Sequence, residues 1–143
     1  MTSKRPKRVL FLCTGNSARS QMAEALLRHA GGDRFIVVSA GTHPRAQVHP
    51  EALHVLQRHK IPAEGLVPKA ASKFLHQAFD YVITLCDQAR EACPTFDSGE
   101  VIHWTFHDPA EVDEPERRRR AFDEVFWGLS RRIQLLIAVD EKG

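Results

Sequence analysis

Val9-Leu10-Phe11-Leu12-Cys13-Thr14-Gly15-Asn16-Ser17-Ala18-Arg19-Ser20 sets a short apolar run directly before a thiol, a loop of small residues and an arginine. Arg8 to Leu12 reads as a buried strand, and Ser17 to Ala30 as a helix with Met22, Ala23, Leu26, Leu27 and Ala30 on one face. Gly31-Gly32 stops that helix. Strand, loop and helix in this order bring a sulfur, a nest of backbone N–H groups and a guanidinium to one point. Such a point grips a tetrahedral oxyanion and favours thiolate over thiol. Cys13 is therefore the candidate nucleophile, and Thr14, Gly15, Asn16, Ser17, Ala18, Arg19 and Ser20 are the candidate oxyanion cradle. Phosphate and arsenate fit this description equally well.

Phe35 to Ser39 is a second apolar run, ended by Ala40-Gly41, and Pro50 opens a helix that reaches about Lys60. Beyond Pro62 the pattern is less regular. Tyr81 to Leu85 reads as a third strand, Asp87 to Ala92 as a short helix stopped by Pro94, and Val101 to Trp104 as a fourth strand. From Pro115 on, Phe122, Val125, Phe126, Leu129, Ile133, Leu136 and Ile137 recur at helical steps. Short apolar strands alternating with helices predict a single three-layer α/β domain over 1–143, with a four-stranded parallel sheet flanked by helices. Ligands bind beyond the carboxyl ends of such strands, where Cys13, Cys86 and the segment after Trp104 all fall.

With 143 residues the chain is long enough for one continuous core. No apolar stretch approaches the roughly 20 residues of a membrane helix, and the basic start Thr2 to Arg8 lacks a signal-peptide pattern. A net charge of +2 is too small to argue for nucleic acid. Three cysteines, an odd number, fit a reducing compartment, which points to the cytoplasm. A monomer is the default expectation. The eight histidines form no ligand cluster, so no metal site is expected from them. Arg117 to Arg120 reads as a solvated face balanced by Glu111, Asp113, Glu114 and Glu116, and Trp104 and Trp127 as core residues.

Cys93 follows Cys86 by seven residues. Two intact helical turns would hold them roughly 10.5 Å apart along the axis, beyond the roughly 7 Å Cα separation that a disulfide tolerates. They bridge only if the short polar helix between them unwinds, which such a helix does cheaply. A redox switch and a pair of structural thiols both remain open at this point. Asp108, in His107-Asp108-Pro109, is placed to protonate a leaving oxygen; Asp-Pro is equally a turn initiator. Ser20 is placed to hydrogen-bond the Cys13 sulfur or to satisfy first-turn amides.

Four segments together resemble a known group: Cys13 to Glu24 (CTGNSARSQMAE), Ser39-Ala40-Gly41, Val82 to Pro94 (VITLCDQAREACP) and Trp104 to Pro109 (WTFHDP). The chain is similar to low-molecular-weight tyrosine-phosphatase-like proteins and, within them, to the thioredoxin-coupled arsenate reductases. The resemblance implies the flavodoxin-like topology of that group, with Cys13 as nucleophile, Arg19 as oxyanion clamp and Asp108 as general acid. It further implies a relay in which Cys13 attacks arsenate and Cys86 attacks the Cys13 sulfur, releasing arsenite. Cys93 then attacks Cys86, leaving a Cys86–Cys93 disulfide for thioredoxin, or alternatively glutaredoxin or a small thiol, to reduce. No tightly bound cofactor is implied.

The rival within the resemblance is a tyrosine phosphatase working through a phosphocysteine. Phosphatases of this type continue the loop as Arg-Ser-Pro, whereas Gln21 follows Ser20 here, and they carry tyrosines after Asp-Pro where this chain has Ala110 and Glu111. Hydrolysis also has no use for Cys86 and Cys93. A non-catalytic oxyanion-binding module is the third class. Ala18 stands where many relatives have another cysteine, one the relay does not need. Asn16, Glu24 and Ser39 match part of a potassium site found in some arsenate reductases, but a further acidic ligand is not evident; Lys69 lies near its place.

Overall fold

The computed structural model describes residues 5–87, 96 and 99–142. Most of the short helix read over Asp87 to Ala92, and Cys93 itself, lie outside the described residues. Four parallel strands, β1 (Lys7–Cys13), β2 (Phe35–Gly41), β3 (Tyr81–Thr84) and β4 (Glu100–His103), form one sheet in the order β2-β1-β3-β4. Among the described residues, helices α1 (Arg19–Gly31), α2 (Pro50–Arg58) and α3 (Pro115–Lys142) pack with the sheet in an α/β domain.

The central strand explains this layering. Residues Val9 to Cys13 are all buried, as expected where both faces of a strand are covered. Val9, Phe11 and Cys13 point into the larger core cluster, with Met22, Leu26 and Leu27 of α1, Val55 and Leu56 of α2 and Phe122, Leu129 and Ile133 of α3. Leu10 and Leu12 alternate to the opposite face, where Ala40, Phe74, Phe79 and Val82 meet them. Among the described residues that second face is covered by a 3-10 turn, Ala71–Phe74, rather than by a long helix. This turn lies in the stretch whose sequence pattern is irregular.

Helix ends follow side-chain chemistry. The His49 Nδ1 atom accepts the Glu51 N–H at 3.0 Å, with Pro50 at the first helical position, and α2 stops at Arg58, two residues short of the reading. Glu114 accepts the backbone N–H groups of Glu116 and Arg117 at 3.2 and 2.7 Å before α3. Those bonds hold its carboxyl below the ordinary glutamate range.

Two readings of the helix faces need correction. Ala30, placed on the apolar face of α1, is exposed, because in the last turn Gly31, one turn beyond Leu27, takes the buried side against Leu27 and Phe35. Trp127, read as core, is 49% exposed. Phe126, Leu129 and Ile133 take the buried face of α3, and the next residue lies about 100° round the helix. The Trp127 ring instead meets His59 and Phe126 edge-on, while Trp104 is buried as expected.

Candidate active site

β1 has β2 on one side and β3 on the other, so the chain reverses its winding direction beside β1, where ligands bind in such sheets. Cys13 ends β1 at this point and is buried. The loop after it turns sharply at Asn16, whose φ of 46° lies in the left-handed region that Asn tolerates better than most residues. That turn aims the Asn16 N–H back at the Cys13 Sγ, 3.2 Å away. Gly41 at the end of β2 permits it, since a Cβ there would lie 2.4 Å from the Thr14 carbonyl oxygen.

A second donor to the sulfur comes from Ser20, with Oγ 2.8 Å from Cys13 Sγ. The Asn16 amide donates to that same Oγ at 2.7 Å, which leaves the Ser20 proton free to point at sulfur. Asn16 also donates to Ser39 Oγ at 2.9 Å, accepts the Lys69 N–H at 2.7 Å and has its carbonyl held by Gln21 Nε2 at 2.9 Å. The loop is thus clamped from behind by buried side chains.

α1 starts at Arg19, and Ala18 before it makes no side-chain cap, so the first N–H groups of the helix are not taken by a capping side chain. Arg19 is 2% exposed, and its guanidinium donates to the Phe106 carbonyl at 2.9 Å and the Leu85 carbonyl at 3.4 Å. Its Nη2 lies 3.7 Å from Asp108 Oδ2. Asp108 keeps its other oxygen on the Ala110 N–H, 3.0 Å away, at the head of the 3-10 turn Pro109–Glu111. Asp108 thus caps the turn with one oxygen and faces Arg19 in the pocket with the other. Cys13, Gly15, Ser17, Ala18, Arg19, Asp108 and Ala110 line one small pocket together with Arg45. Thr14, Asn16 and Ser20 are not among its lining residues; Asn16 and Ser20 are wholly buried.

Cys86 is buried two residues past the end of β3, the strand whose Thr84 pairs with Leu12 of β1, but it does not line the pocket. Cys13 is a free thiol and Cys86 is disulfide-bonded, so the partner of Cys86 is not Cys13. Asp87 beside it has Oδ2 3.6 Å from His107 Nδ1.

Behind the loop, Ser39 Oγ donates to Glu24 Oε1 at 2.6 Å, Lys69 Nζ lies 3.7 Å from the same oxygen, and Arg28 pairs with Glu24 Oε2. Burial pushes the Lys69 ammonium pKa down, although Glu24 opposes this. Asn16 turns its NH2 toward Ser39 and its oxygen toward the Lys69 N–H, so Asn16, Glu24 and Ser39 do not present an oxygen cage of the kind an alkali cation needs. Among the described residues no group of three or more His, Cys, Asp or Glu side chains is placed to hold a metal ion. No helix among them is long and apolar enough to cross a membrane.

Sequence reasoning missed Arg45. It lies in the loop after β2, and no spacing relates it to Cys13. Only the pairing of β1 with β2, together with backbone bonds from His43 to Thr14 and from Arg45 to Gly15, both 2.9 Å, brings it there.

A sulfur nucleophile held by two donors, facing an arginine and a carboxyl group, belongs to the enzymes that attack tetrahedral oxyanions through cysteine. The chain is a member of the low molecular weight phosphotyrosine protein phosphatase family, matched over residues 8–142. It is 36% identical to an arsenate reductase of Halalkalibacterium halodurans over 129 residues, which is 90% of this chain and 87% of that one. Its fold is similar to a crystal structure of arsenate reductase from Archaeoglobus fulgidus (TM-score 0.74, 27% identity, 91% of this chain and 98% of that one). It is also similar to a thioredoxin-dependent arsenate reductase of Corynebacterium glutamicum (TM-score 0.66, 30% identity, 94% of this chain and 65% of that one).

Proposed function

We propose that this protein reduces arsenate to arsenite by a relay through Cys13, Cys86 and Cys93, with thioredoxin as the regenerating dithiol. The observation that carries this reading is the division among its sulfurs: Cys13 is a free thiol in the oxyanion pocket, while Cys86, just past the end of the neighbouring strand, is in a disulfide that excludes Cys13. A phosphatase has no use for that second sulfur.

In the first step the Cys13 thiolate attacks arsenic and a hydroxyl leaves as water, taking its proton from Asp108. Arg19 and the amides of the loop hold the arsenate oxygens. The Cys86 thiolate then attacks Cys13 Sγ; the S–As bond breaks, its electron pair stays on arsenic, and arsenite departs from a Cys13–Cys86 disulfide. The Cys93 thiolate attacks Cys86, returning Cys13 to thiolate, and a dithiol reductant reopens the Cys86–Cys93 bond. Such chemistry suits a reducing cytoplasm and arsenic detoxification, and the protein works in it as a monomer. No resident potassium ion is required, because Lys69 supplies the positive charge beside Glu24.

The test is NADPH oxidation coupled through thioredoxin reductase and thioredoxin, dependent on arsenate. Substituting Cys93→Ser stops multiple turnover while leaving one arsenite released per enzyme; full turnover by that variant overturns the relay. Replacing thioredoxin with glutaredoxin and glutathione identifies the reductant. The shared pocket also permits hydrolysis of aryl phosphates, an activity that survives Cys86→Ser. If hydrolysis is fast and arsenate reduction is at background, the protein is a phosphatase.

A further inference from the structure

The small pocket over Cys13 holds one charge that no step above uses. Arg45 is exposed at its lip, and among the described residues its side chain forms no hydrogen bond or ion pair. Its position is nonetheless built. The loop after β2 is stitched to the oxyanion loop by His43 N–H to the Thr14 carbonyl, Arg45 N–H to the Gly15 carbonyl and His49 N–H to the Ser17 carbonyl, each 2.9 Å. The side chain then lies across Gly15, where a Cβ would sit 3.1 Å from Arg45 Nε and 3.3 Å from its Cγ. A larger residue at 15 would push the guanidinium away from the mouth.

Charge balance in the pocket gives this arginine a task. The reacting groups include a Cys13 thiolate, the Asp108 carboxyl and an oxyanion that carries up to two negative charges near neutral pH. Arg19 is the other side-chain cation among the lining residues, and its guanidinium is already engaged by two carbonyls and faces Asp108. One cation against that much negative charge leaves the entering anion poorly balanced. An unpaired guanidinium at the lip corrects the imbalance.

We infer that Arg45 is a specificity-determining residue that captures the free, doubly charged inorganic oxyanion at the mouth and passes it to Arg19 and the amide loop. This rests on the oxyanion chemistry assigned to the pocket, and it concerns binding rather than the attack on arsenic.

Titration calorimetry with inorganic phosphate tests it on the reduced protein without requiring turnover. Arg45→Met keeps the stem over Gly15 and removes the charge, whereas Arg45→Lys keeps a charge. At low salt the methionine variant binds phosphate about fivefold more weakly, as expected for one partly solvated charge, and the lysine variant stays within about twofold of wild type. The difference closes as salt is raised. With arsenate, the methionine variant raises KM by a similar factor and leaves kcat within about twofold. Unchanged phosphate affinity in Arg45→Met overturns the inference, as does a loss that is equal at low and high salt, which would reflect packing on Gly15. If wild type binds phosphate yet does not reduce arsenate, the reductase reading fails, while the phosphate comparison still decides the role of Arg45.

Discussion

Asn16 donates its side-chain amide to Ser20 Oγ at 2.7 Å, and Ser20 Oγ lies 2.8 Å from Cys13 Sγ. The strained loop residue therefore orients the hydroxyl that steadies the nucleophile. Ser20→Ala removes a hydrogen bond to a charged group, worth about 1.5–3 kcal/mol, so the rate of attack by Cys13 falls about tenfold or more. Single-turnover arsenite release measures this. Asn16→Ala gives a comparable loss with Ser20 intact, because the hydroxyl loses its director.

Asp108 caps a turn and faces Arg19 with separate oxygens. Asp108→Asn keeps an oxygen for the Ala110 N–H but cannot give up an acid proton. Its kcat falls about 100-fold or more while its melting temperature stays near wild type. Asp108→Ala loses both activity and part of the stability of the turn. If Asp108→Asn retains full kcat, the acid lies elsewhere.

Lys69→Met leaves the buried Glu24 carboxylate with Arg28 as its cation and the Ser39 hydroxyl as its other partner. Removing one partner of a buried ion pair costs roughly 3–5 kcal/mol when nothing replaces it. Because Arg28 remains, the expected loss is about 1–2 kcal/mol in urea unfolding.

At the opposite end of the sheet, Arg5 grips Asp80 through two bonds of 2.9 and 3.0 Å, and the Arg8 N–H adds a third at 2.8 Å. The Arg5 hydrogen bonds, assisted by the Arg8 N–H, bring the Asp80 carboxyl down to about 2. A depressed carboxyl stabilises the fold above its unfolded value of about 3.9, and that contribution disappears as pH falls through the folded value. Asp80→Asn is therefore less stable than wild type at pH 7, by about 1 kcal/mol given the solvent exposure of Arg5. Urea midpoints measured between about pH 5 and pH 2 should converge.

The strand, loop and first helix were legible because sequence neighbours remain spatial neighbours there, and the order of strands and helices carried the parallel sheet. Trp127 and Ala30 were misplaced because periodicity marks a helix face but not how far packing extends around or along it. The cover over Leu10 and Leu12 was illegible for another reason. Phe74 and Phe79 reach it from a 3-10 turn and the segment after it, which leave no repeating pattern. Arg45 was hidden because a lone arginine in a loop gains meaning only from β-sheet pairing. The predicted helix between Cys86 and Cys93 lies mostly outside the described residues, so its unwinding remains part of the proposed relay.

α1 begins at Arg19, and Ala18 before it carries no side chain that could cap the first N–H groups. On the proposed reading, an oxyanion bound at those N–H groups would stand in for the missing cap and become a structural component. Substrate occupancy and thermal resistance then become one linked equilibrium, and arsenate at a hundred times its dissociation constant would raise unfolding free energy by about 2.7 kcal/mol. An organism carrying this protein would hold it least firmly folded when no oxyanion is present and most firmly when the toxin arrives.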